Sequence, residues 1–261
     1  MMECGKVIDI FQKQAAEVYA EDWDNVGLLV GSRQKEVKKI YIALDASDEA
    51  IDEAVAKGAD LLLTHHPLIF RGLKHVTDDD FIGRRVMALI RADMSYYAMH
   101  TNFDVMGMAD LAADKMELTD AVPLEETCVE EGVKQGIGRT GNFSKEITLQ
   151  ECCMRVKFAF GMGQVKVFGK PDKKIKRVAI CPGSGGSNVT NALAAGADVY
   201  ITGDIDHHTG IDAVARNMAV IDAGHYGIEQ IFIEFMASYI HTNIPAVEVV
   251  MQGRTEPFYY L

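Results

Sequence analysis

The sequence predicts an α/β protein with two similar lobes, each built around a sheet that contains a βαβ unit. The first observation behind this prediction is a repeat, because Val37–Thr64 aligns without a gap on Ile175–Thr202 and both segments have a strand–helix–strand pattern. The second is composition: the 261 residues are 48% hydrophobic and 25% charged, which is typical of a globular protein with one or two cores. That composition excludes disordered and fibrous proteins.

The repeat has an offset of 138 residues and is specific in its details. Eight of its 28 aligned positions are identical, and they include a shared Gly-Ala-Asp at Gly58–Asp60 and Gly196–Asp198. Two βαβ units could resemble each other by chance, since both follow the same apolar pattern. The ungapped match, with a threonine at the same distance beyond it in each copy, favours an internal duplication.

Both copies have the same predicted order of elements along the chain. A short apolar strand is followed by a polar loop, a helix, a glycine and a second apolar strand. Ser47 and Ser187 are predicted to cap the helices, and Gly58 and Gly196 are predicted to end them in a positive φ conformation. The predicted strands are Ile40–Leu44 and Leu61–Leu63 in the first copy, and Val178–Cys181 and Val199–Ile201 in the second. A crossover helix between two such strands predicts a parallel pair.

Further elements extend both copies. A strand and a helix follow each repeat: Met94–Met99 and Met108–Met116, then Met218–Ile221 and Ile228–Ile240. The intervening segment, Ala121–Lys174, is rich in glycine and charge, with a helix predicted over Leu149–Phe160 and a short strand near Val165–Phe168. We therefore predict a first lobe over residues 1–125 and a second over 126–261, with the helix 228–240 packing on the first.

The charge balance restricts the classes of function. The net charge is −12, and nucleic-acid or anionic-membrane binding needs a basic surface instead, so neither partner is expected. No apolar run approaches the roughly 20 residues that cross a bilayer. The opening residues lack the pattern of a secretory signal, and the five cysteines form no CxxC pair. We expect a cytoplasmic protein with reduced cysteines.

Residues typical of metal sites follow the predicted strands. His65 and His66 come directly after one strand, and Asp104 follows the next, so all three are expected at one edge of the sheet. His225 and Glu229 lie four residues apart at the start of a helix and therefore share a face. Taken singly, these residues could be surface histidines, a turn-forming aspartate and a glutamate favoured by the helix dipole.

Together they predict a metal centre. Three imidazoles and two carboxylates exceed the three protein ligands of a single catalytic zinc and suit two divalent ions, with one carboxylate bridging them. Such ligands suit Zn, Fe, Mn or Ni, so the metal is left open. His100, which lies on the same edge, is a candidate for proton transfer or for supporting a ligand.

Several motifs, in this order and spacing, resemble the NGG-interacting-factor-three-like family. They are AEDWDNVGLLVG, GADLLLTHHPLIF, HTNFD, GIGRTG, TGDIDHH and DAGHYGIEQ. The resemblance implies that His65 and His225 bind one ion, that His66 and Asp104 bind the other, and that Glu229 bridges them. It also implies a ring-shaped homohexamer with metal sites facing an inner cavity. Bacterial members are commonly labelled GTP cyclohydrolase I type 2 homologues.

The expected function is that of a metal-dependent hydrolase. It would use a metal-bridged water on a small phosphate- or purine-containing substrate. The alternative is a non-catalytic metal-binding protein, such as a metal buffer, a metallochaperone or an interaction protein. A di-iron oxidoreductase is disfavoured because it needs more carboxylates.

Other motifs carry less weight. Gly136–Gly141 matches GxGxxG but lacks the flanking strand and helix of a dinucleotide site. The Gly-rich loop 183–187 is interpreted as a tight turn, with phosphate binding as the alternative. His207 and His208 either line the cavity or are exposed loop residues. Trp23 is expected in the core or at an interface, and the apolar residues of the helix Ile228–Ile240 and of the tail Glu256–Leu261 are candidates for burial between subunits.

Overall fold

The computed structural model describes residues 2–259, and these form a mixed α/β fold with several sheets. The strands in chain order are β1 (Met2–Glu3), β2 (Gly27–Val30), β3 (Glu36–Val37), β4 (Lys39–Ala43), β5 (Leu61–Thr64), β6 (Ser95–Ala98), β7 (Thr119–Glu130), β8 (Val133–Thr148), β9 (Lys166–Phe168), β10 (Lys174–Ser184), β11 (Val199–Gly203), β12 (Ala219–Asp222) and β13 (Glu248–Met251).

The α-helices in chain order are α1 (Cys4–Gln14), α2 (Asp48–Ala56), α3 (Phe81–Arg91), α4 (Thr101–Phe103), α5 (Ala109–Lys115), α6 (Leu149–Ala159), α7 (Val189–Ala194), α8 (His207–Ala215), α9 (His225–Glu229) and α10 (Ile231–Asn243). A π-helical turn, Asp104–Met108, lies between α4 and α5, and 3₁₀ turns occupy Glu17–Tyr19 and Gly186–Asn188. Among the described residues, no helix is long and apolar enough to cross a membrane.

The chain divides into two compact units. The first takes the residues up to Phe103 together with Phe232–Thr255, and the second takes Asp104–Ile231 together with the residues from Glu256 onward. The division into folding domains at residues 125 and 126 stays a prediction.

The first unit is built on a five-stranded sheet of order β13-β4-β5-β6-β2. The first four strands of this order are parallel, and β2 pairs antiparallel with β6 at the edge. Helices α2 and α3 cover one face, where Tyr41, Leu62 and Tyr96 are buried. On the opposite face the ring of Tyr97 contacts Phe11 of α1, and Tyr239 of α10 donates a hydrogen bond to Ile10 O. A small antiparallel pair, β1 and β3, lies apart from this sheet.

The second unit has a six-stranded sheet of order β7-β8-β10-β11-β12-β9. Strands β10, β11 and β12 pair in parallel. The other pairs of this sheet, which are β7 with β8, β8 with β10 and β12 with β9, are antiparallel. Helices α7 and α8 pack on one face around Tyr200 and Val220. The long hairpin of β7 and β8 was not predicted from the sequence, because its exposed, charged residues lack a sustained apolar alternation.

The two repeated segments make matching contacts within their own units. Ile40 lies opposite Leu61, and Val178 lies opposite Val199, so the parallel register agrees with the sequence offset. The Asp60 carboxylate accepts hydrogen bonds from the backbone N–H groups of Lys38 and Lys39, at 2.8 and 3.0 Å. Asp198 accepts the equivalent bonds from residues 176 and 177, at 2.9 and 2.8 Å. These shared bonds support the hypothesis of an internal duplication and give the aspartate the same structural role in both segments.

The helix ends distinguish the two copies. Ser47 caps α2, because its Oγ accepts the N–H of Ala50 at 3.1 Å. The predicted cap by Ser187 is wrong, since this residue lies inside the 3₁₀ turn that precedes α7 and makes no capping bond. Gly58 and Gly196 adopt φ values of +67° and +71°, which confirms that both glycines end their helices.

The apolar residues proposed for subunit contacts have different environments. Most of those on α10 are already buried within a single chain, including Phe232, Met236 and Ile240. In the tail, Phe258 and Tyr259 are 47% and 81% exposed, whereas Tyr260 and Leu261 lie outside the described residues. The tail, and not this helix, therefore remains the candidate for burial between subunits.

Candidate metal centre

The first unit brings two histidines to the carboxyl end of β5. His65 and His66 follow Thr64 directly, and His65 is fully buried. The Nδ1 atom of His65 lies 2.7 Å from the carbonyl oxygen of Met99, and Nδ1 of His66 lies 2.9 Å from Oδ1 of Asp45. A carbonyl or carboxylate oxygen only accepts, so in both rings Nδ1 is the donor and carries the proton.

His100 stands in a similar environment at the end of β6. Its Nδ1 lies 2.9 Å from Oδ1 of Asp24, and Asp24 also accepts a hydrogen bond from the N–H of Thr101 at 3.0 Å. Burial alone would raise the pKa of Asp24. The hydrogen bonds from His100 and Thr101, with the charge of His100, outweigh burial and lower this pKa to about 2. Asp24 is therefore a carboxylate that fixes the orientation of His100.

The three imidazoles of the first unit lie close together. One ring nitrogen from each of His65, His66 and His100 falls within 4.8 Å of the other two. The ring centroids are 4.9 Å apart for His65 and His66, and 5.3 and 5.5 Å from His100 to these two rings. With the proton on Nδ1, a neutral imidazole has its lone pair on Nε2, the atom that coordinates a metal.

The second unit places His225 and Glu229 on the single turn of α9. The Nε2 atom of His225 lies 3.2 Å from Oε2 of Glu229, which confirms the predicted i, i+4 pairing. The Nδ1 atom of His225 lies 2.7 Å from Oδ2 of Asp204, and Glu229 is only 3% exposed. Since Nδ1 donates to Asp204, a cation or a second proton must separate Nε2 from the Glu229 carboxylate. This arrangement fits a metal ion.

Two glycines make room for these side chains. Gly183 has a φ of +76°, and a Cβ atom on it would collide with Oε1 of Glu229. A Cβ atom on Gly203 would lie 2.7 Å from the backbone nitrogen of His225. The carboxylate beside Gly183 makes the loop 183–187 unsuited to a phosphate and supports its interpretation as a tight turn.

Asp104 begins the π-helical turn and belongs to the second unit. Asp104 lies close enough to the thiol of Cys181 to affect its pKa. Burial is the largest cause that raises the pKa of Cys181 to about 12, and the negative charges of Asp104 and Glu229 raise it further. Both candidate carboxylates are therefore near the same buried thiol. All five cysteines are free thiols.

The remaining sequence motifs lie elsewhere. Gly136–Gly141 is in the middle of β8, where it pairs with strands on both sides. His207 and His208 are exposed at the start of α8, and their rings contact each other at 5.3 Å. Trp23 is 57% exposed, so it is not a core residue.

Sequence reasoning missed the three carboxylates that hold the imidazoles, namely Asp24, Asp45 and Asp204. Asp45 and Asp204 follow β4 and β11, the strands before those that end at their histidine partners. An acidic residue at the end of a neighbouring parallel strand was the available signal. The sequence contains no comparable signal for Asp24, because 76 residues separate it from His100.

Fold and side chains together define an α/β protein with histidine- and carboxylate-rich groups able to hold metal ions. Comparison with known proteins gives the family. The sequence model of the Duf34/NIF3 (NGG1p interacting factor 3) family matches residues 2–257. The chain belongs to this family.

Three relatives illustrate the similarity. A GTP cyclohydrolase 1 type 2 homolog of Clostridium perfringens is 35% identical over 230 residues, covering 87% of each chain. A homolog of the same name from Streptococcus pneumoniae is 33% identical over 271 aligned positions and covers both chains completely. The crystal structure of a Bacillus cereus protein related to NIF3 superposes with a TM-score of 0.89 at 23% identity, covering 100% of this chain and 99% of the other. That likeness shows a shared fold.

Proposed function

We propose that this protein is a metal-dependent hydrolase that acts on a small phosphate- or purine-containing molecule at a dinuclear centre. The observation that carries the proposal is the set of imidazoles whose Nδ1 atoms are held by oxygen acceptors. In metalloproteins this arrangement fixes the tautomer and raises the basicity of the coordinating nitrogen.

The proposed ligands are His65, His66, Asp104, His225 and Glu229. The family resemblance is the basis for assigning His65 and His225 to one ion, His66 and Asp104 to the other, and Glu229 to both. Imidazole and carboxylate donors suit Zn, Fe, Mn or Ni, and the net charge of −12 favours the accumulation of cations. Membership of the family supports the assignment, since these residues stand in the motifs that carry the resemblance.

When bound by these residues, a pair of divalent ions would supply a water nucleophile at neutral pH and would stabilise negative charge on the attacked oxygen. The residues of this chain then orient the ligands and limit the access of solvent. Asp45 and Asp204 hold His66 and His225 through Nδ1, and burial keeps Glu229 away from bulk water. We assign His100 a supporting role, in which Asp24 fixes its ring so that Nε2 holds or accepts a proton.

The names of the relatives support the proposed substrate class. Both curated relatives described above are called GTP cyclohydrolase 1 type 2 homologs, and GTP contains a purine ring as well as phosphates. A second candidate function, metal binding without turnover, is favoured by the family description, which records an interaction with another protein. Turnover distinguishes the two.

The test combines metal analysis with a substrate screen. Protein purified without chelator is expected to contain two metal ions per chain and to hydrolyse GTP or a related small molecule. Glu229→Gln is expected to lose both ions, whereas Asp104→Asn loses one. Glu146→Gln, on the exposed part of β8, is the matched control and keeps both. Full metal content without turnover on any substrate would favour the second candidate, and equal metal loss in both ligand variants would contradict a bridging Glu229.

We further propose a homohexamer in the cytoplasm, with the metal centres facing an inner cavity. The family resemblance and the exposed aromatic residues of the tail support this assembly, because exposed aromatic side chains at a chain end favour burial. Light scattering is expected to give six times the 28.7 kDa of one chain. A monomer that still holds both ions would contradict the proposal.

A further inference from the structure

Two exposed aromatic side chains lie beside the histidines of the first unit. Trp23 is 57% exposed and Phe70 is 44% exposed, and their ring centroids are 5.7 Å apart with an angle of 49° between the planes. The Trp23 ring also lies 6.1 Å from the ring of His100, which in turn contacts His65 and His66. The Trp23–Phe70 pair therefore lies between the group of three imidazoles and solvent.

Exposure alone does not identify a site, since other aromatic residues, such as Phe158, are more exposed. The Trp23–Phe70 pair differs because its surroundings are fixed. Asp24, next to Trp23, accepts hydrogen bonds from His100 and Thr101. Asn25 donates a hydrogen bond to the carbonyl oxygen of Ile69, the residue before Phe70. The two aromatic segments are thus tied to each other and to the imidazole group.

There is also open space next to Phe70. Phe70 lines a cavity of about 420 Å³, which is within the range of small-molecule pockets. Arg71 and Lys74 are in the wall of the same cavity. A ring bound against Phe70 has room there for its substituents.

We propose that Trp23 and Phe70 form a stacking platform for the planar nitrogen heterocycle of the substrate, with a purine as the ring class. The inference rests on the proposed function. It assigns the residues that bind the part of the substrate that is not attacked. Aromatic side chains bind such rings through stacking, which tolerates different bases because every base has a π-face. Preorganisation of the pair reduces the entropy lost when the ring binds.

The test uses guanosine as the probe and the native protein with its metals. Trp23 is the only tryptophan in the chain, so its fluorescence reports ring stacking directly. Guanosine is expected to quench this fluorescence with saturation, and ribose 5-phosphate is expected to leave it unchanged. Phe70→Ala is expected to weaken guanosine binding about ten- to 100-fold, the usual effect of removing one stacking partner.

Calorimetry extends the test to Trp23 itself. Trp23→Ala is expected to weaken guanosine binding to a similar degree, whereas Trp23→Phe retains most of it. Phe158→Ala, which removes a 91% exposed ring from α6, is the matched control and binds guanosine normally. Metal content is expected to stay unchanged in all four variants.

Three results would overturn the inference. They are the absence of quenching by guanosine, equal guanosine affinity in Phe70→Ala and Phe158→Ala, and a smaller assembly in Trp23→Ala, which would show that this face packs between copies. The inference and the proposed function fail separately. Metal-dependent turnover with an unchanged KM in Trp23→Ala would contradict only the proposed stacking platform. Guanosine binding without any turnover would contradict only the proposed hydrolase activity.

Discussion

Asp24 and His100 form a carboxylate–imidazole pair in which Oδ1 and Nδ1 are 2.9 Å apart and the aspartate side chain has no exposed surface. The pair joins the segment before β2 to the end of β6. It also fixes the backbone on both sides of the pair, because Asp24 accepts the N–H of Thr101. Its contribution to stability depends on pH.

Asp24→Asn is expected to lower the free energy of unfolding by about 1–2 kcal/mol at pH 7, since each pKa unit corresponds to about 1.4 kcal/mol. The pKa of Asp24 in the folded protein, about 2, lies below the model-compound value of 3.8. The carboxylate therefore stabilises the fold above about pH 4, and this contribution is lost as the pH falls toward 2. Urea unfolding at several pH values measures it, with Asp22→Asn as the control. A pH-independent difference would contradict the assignment.

Asp204 is expected to control metal affinity through His225. Asp204→Asn should weaken metal binding about 10- to 100-fold, as loss of a carboxylate partner of a ligating histidine usually does. Asparagine is the suitable replacement because residue 204 has a φ of +56°, a conformation that asparagine tolerates. Competition with a chromophoric chelator measures the affinity. Asp212→Asn on the exposed face of α8 is the control, and equal affinities in the two variants would argue against the role of Asp204.

Gly183→Ala is expected to reduce metal content. The added Cβ would displace the Glu229 carboxylate, and the φ of +76° adds backbone strain of about 1 kcal/mol or more. Gly186→Ala in the same loop is the matched control, since nothing lies within 4 Å of its added Cβ. Elemental analysis and thermal unfolding of both variants make the comparison. Native metal content in Gly183→Ala would mean that Glu229 is not a ligand.

Ser47→Ala is expected to destabilise the first unit by about 1 kcal/mol, the typical effect of removing an N-cap hydroxyl. Ser187→Ala changes the serine that precedes α7 in the second copy, which is exposed and makes no cap, so a change within about 0.5 kcal/mol is expected. Urea unfolding compares the two. Similar losses in both variants would show that the two copies cap their helices alike.

The sequence predicted the parallel strands and crossover helices well, because their apolar runs and terminal glycines are local signals. It also placed His65 and His66 at a strand end, and His225 and Glu229 on one face of a helix. Both predictions depend only on the geometry of adjacent residues. The five-residue metal centre as a whole stays a proposal.

The parts that were missed depend on contacts between distant residues. The carboxylate partners of His66 and His225 are each 21 residues away in sequence, so periodicity gives no indication of them. Trp23 was expected in the core or at an interface because large aromatic residues are usually buried, and its exposure contradicts the first of these two alternatives. It lies next to a segment held by hydrogen bonds of Asp24 and Asn25 to residues far away in sequence, which no local pattern records.

The order in which the chain is synthesised differs from the order in which its units are completed. The first unit needs β13, which pairs with β4, and α10, whose Phe232 contacts the ring of His65. Both elements leave the ribosome after the main part of the second unit, residues 104–231, so until then β4 remains an unpaired edge of its sheet. The five-stranded sheet of the first unit is therefore completed only after residues 248–251 have been synthesised, and truncation of the chain after residue 231 removes α10 and the edge strand β13 from this unit.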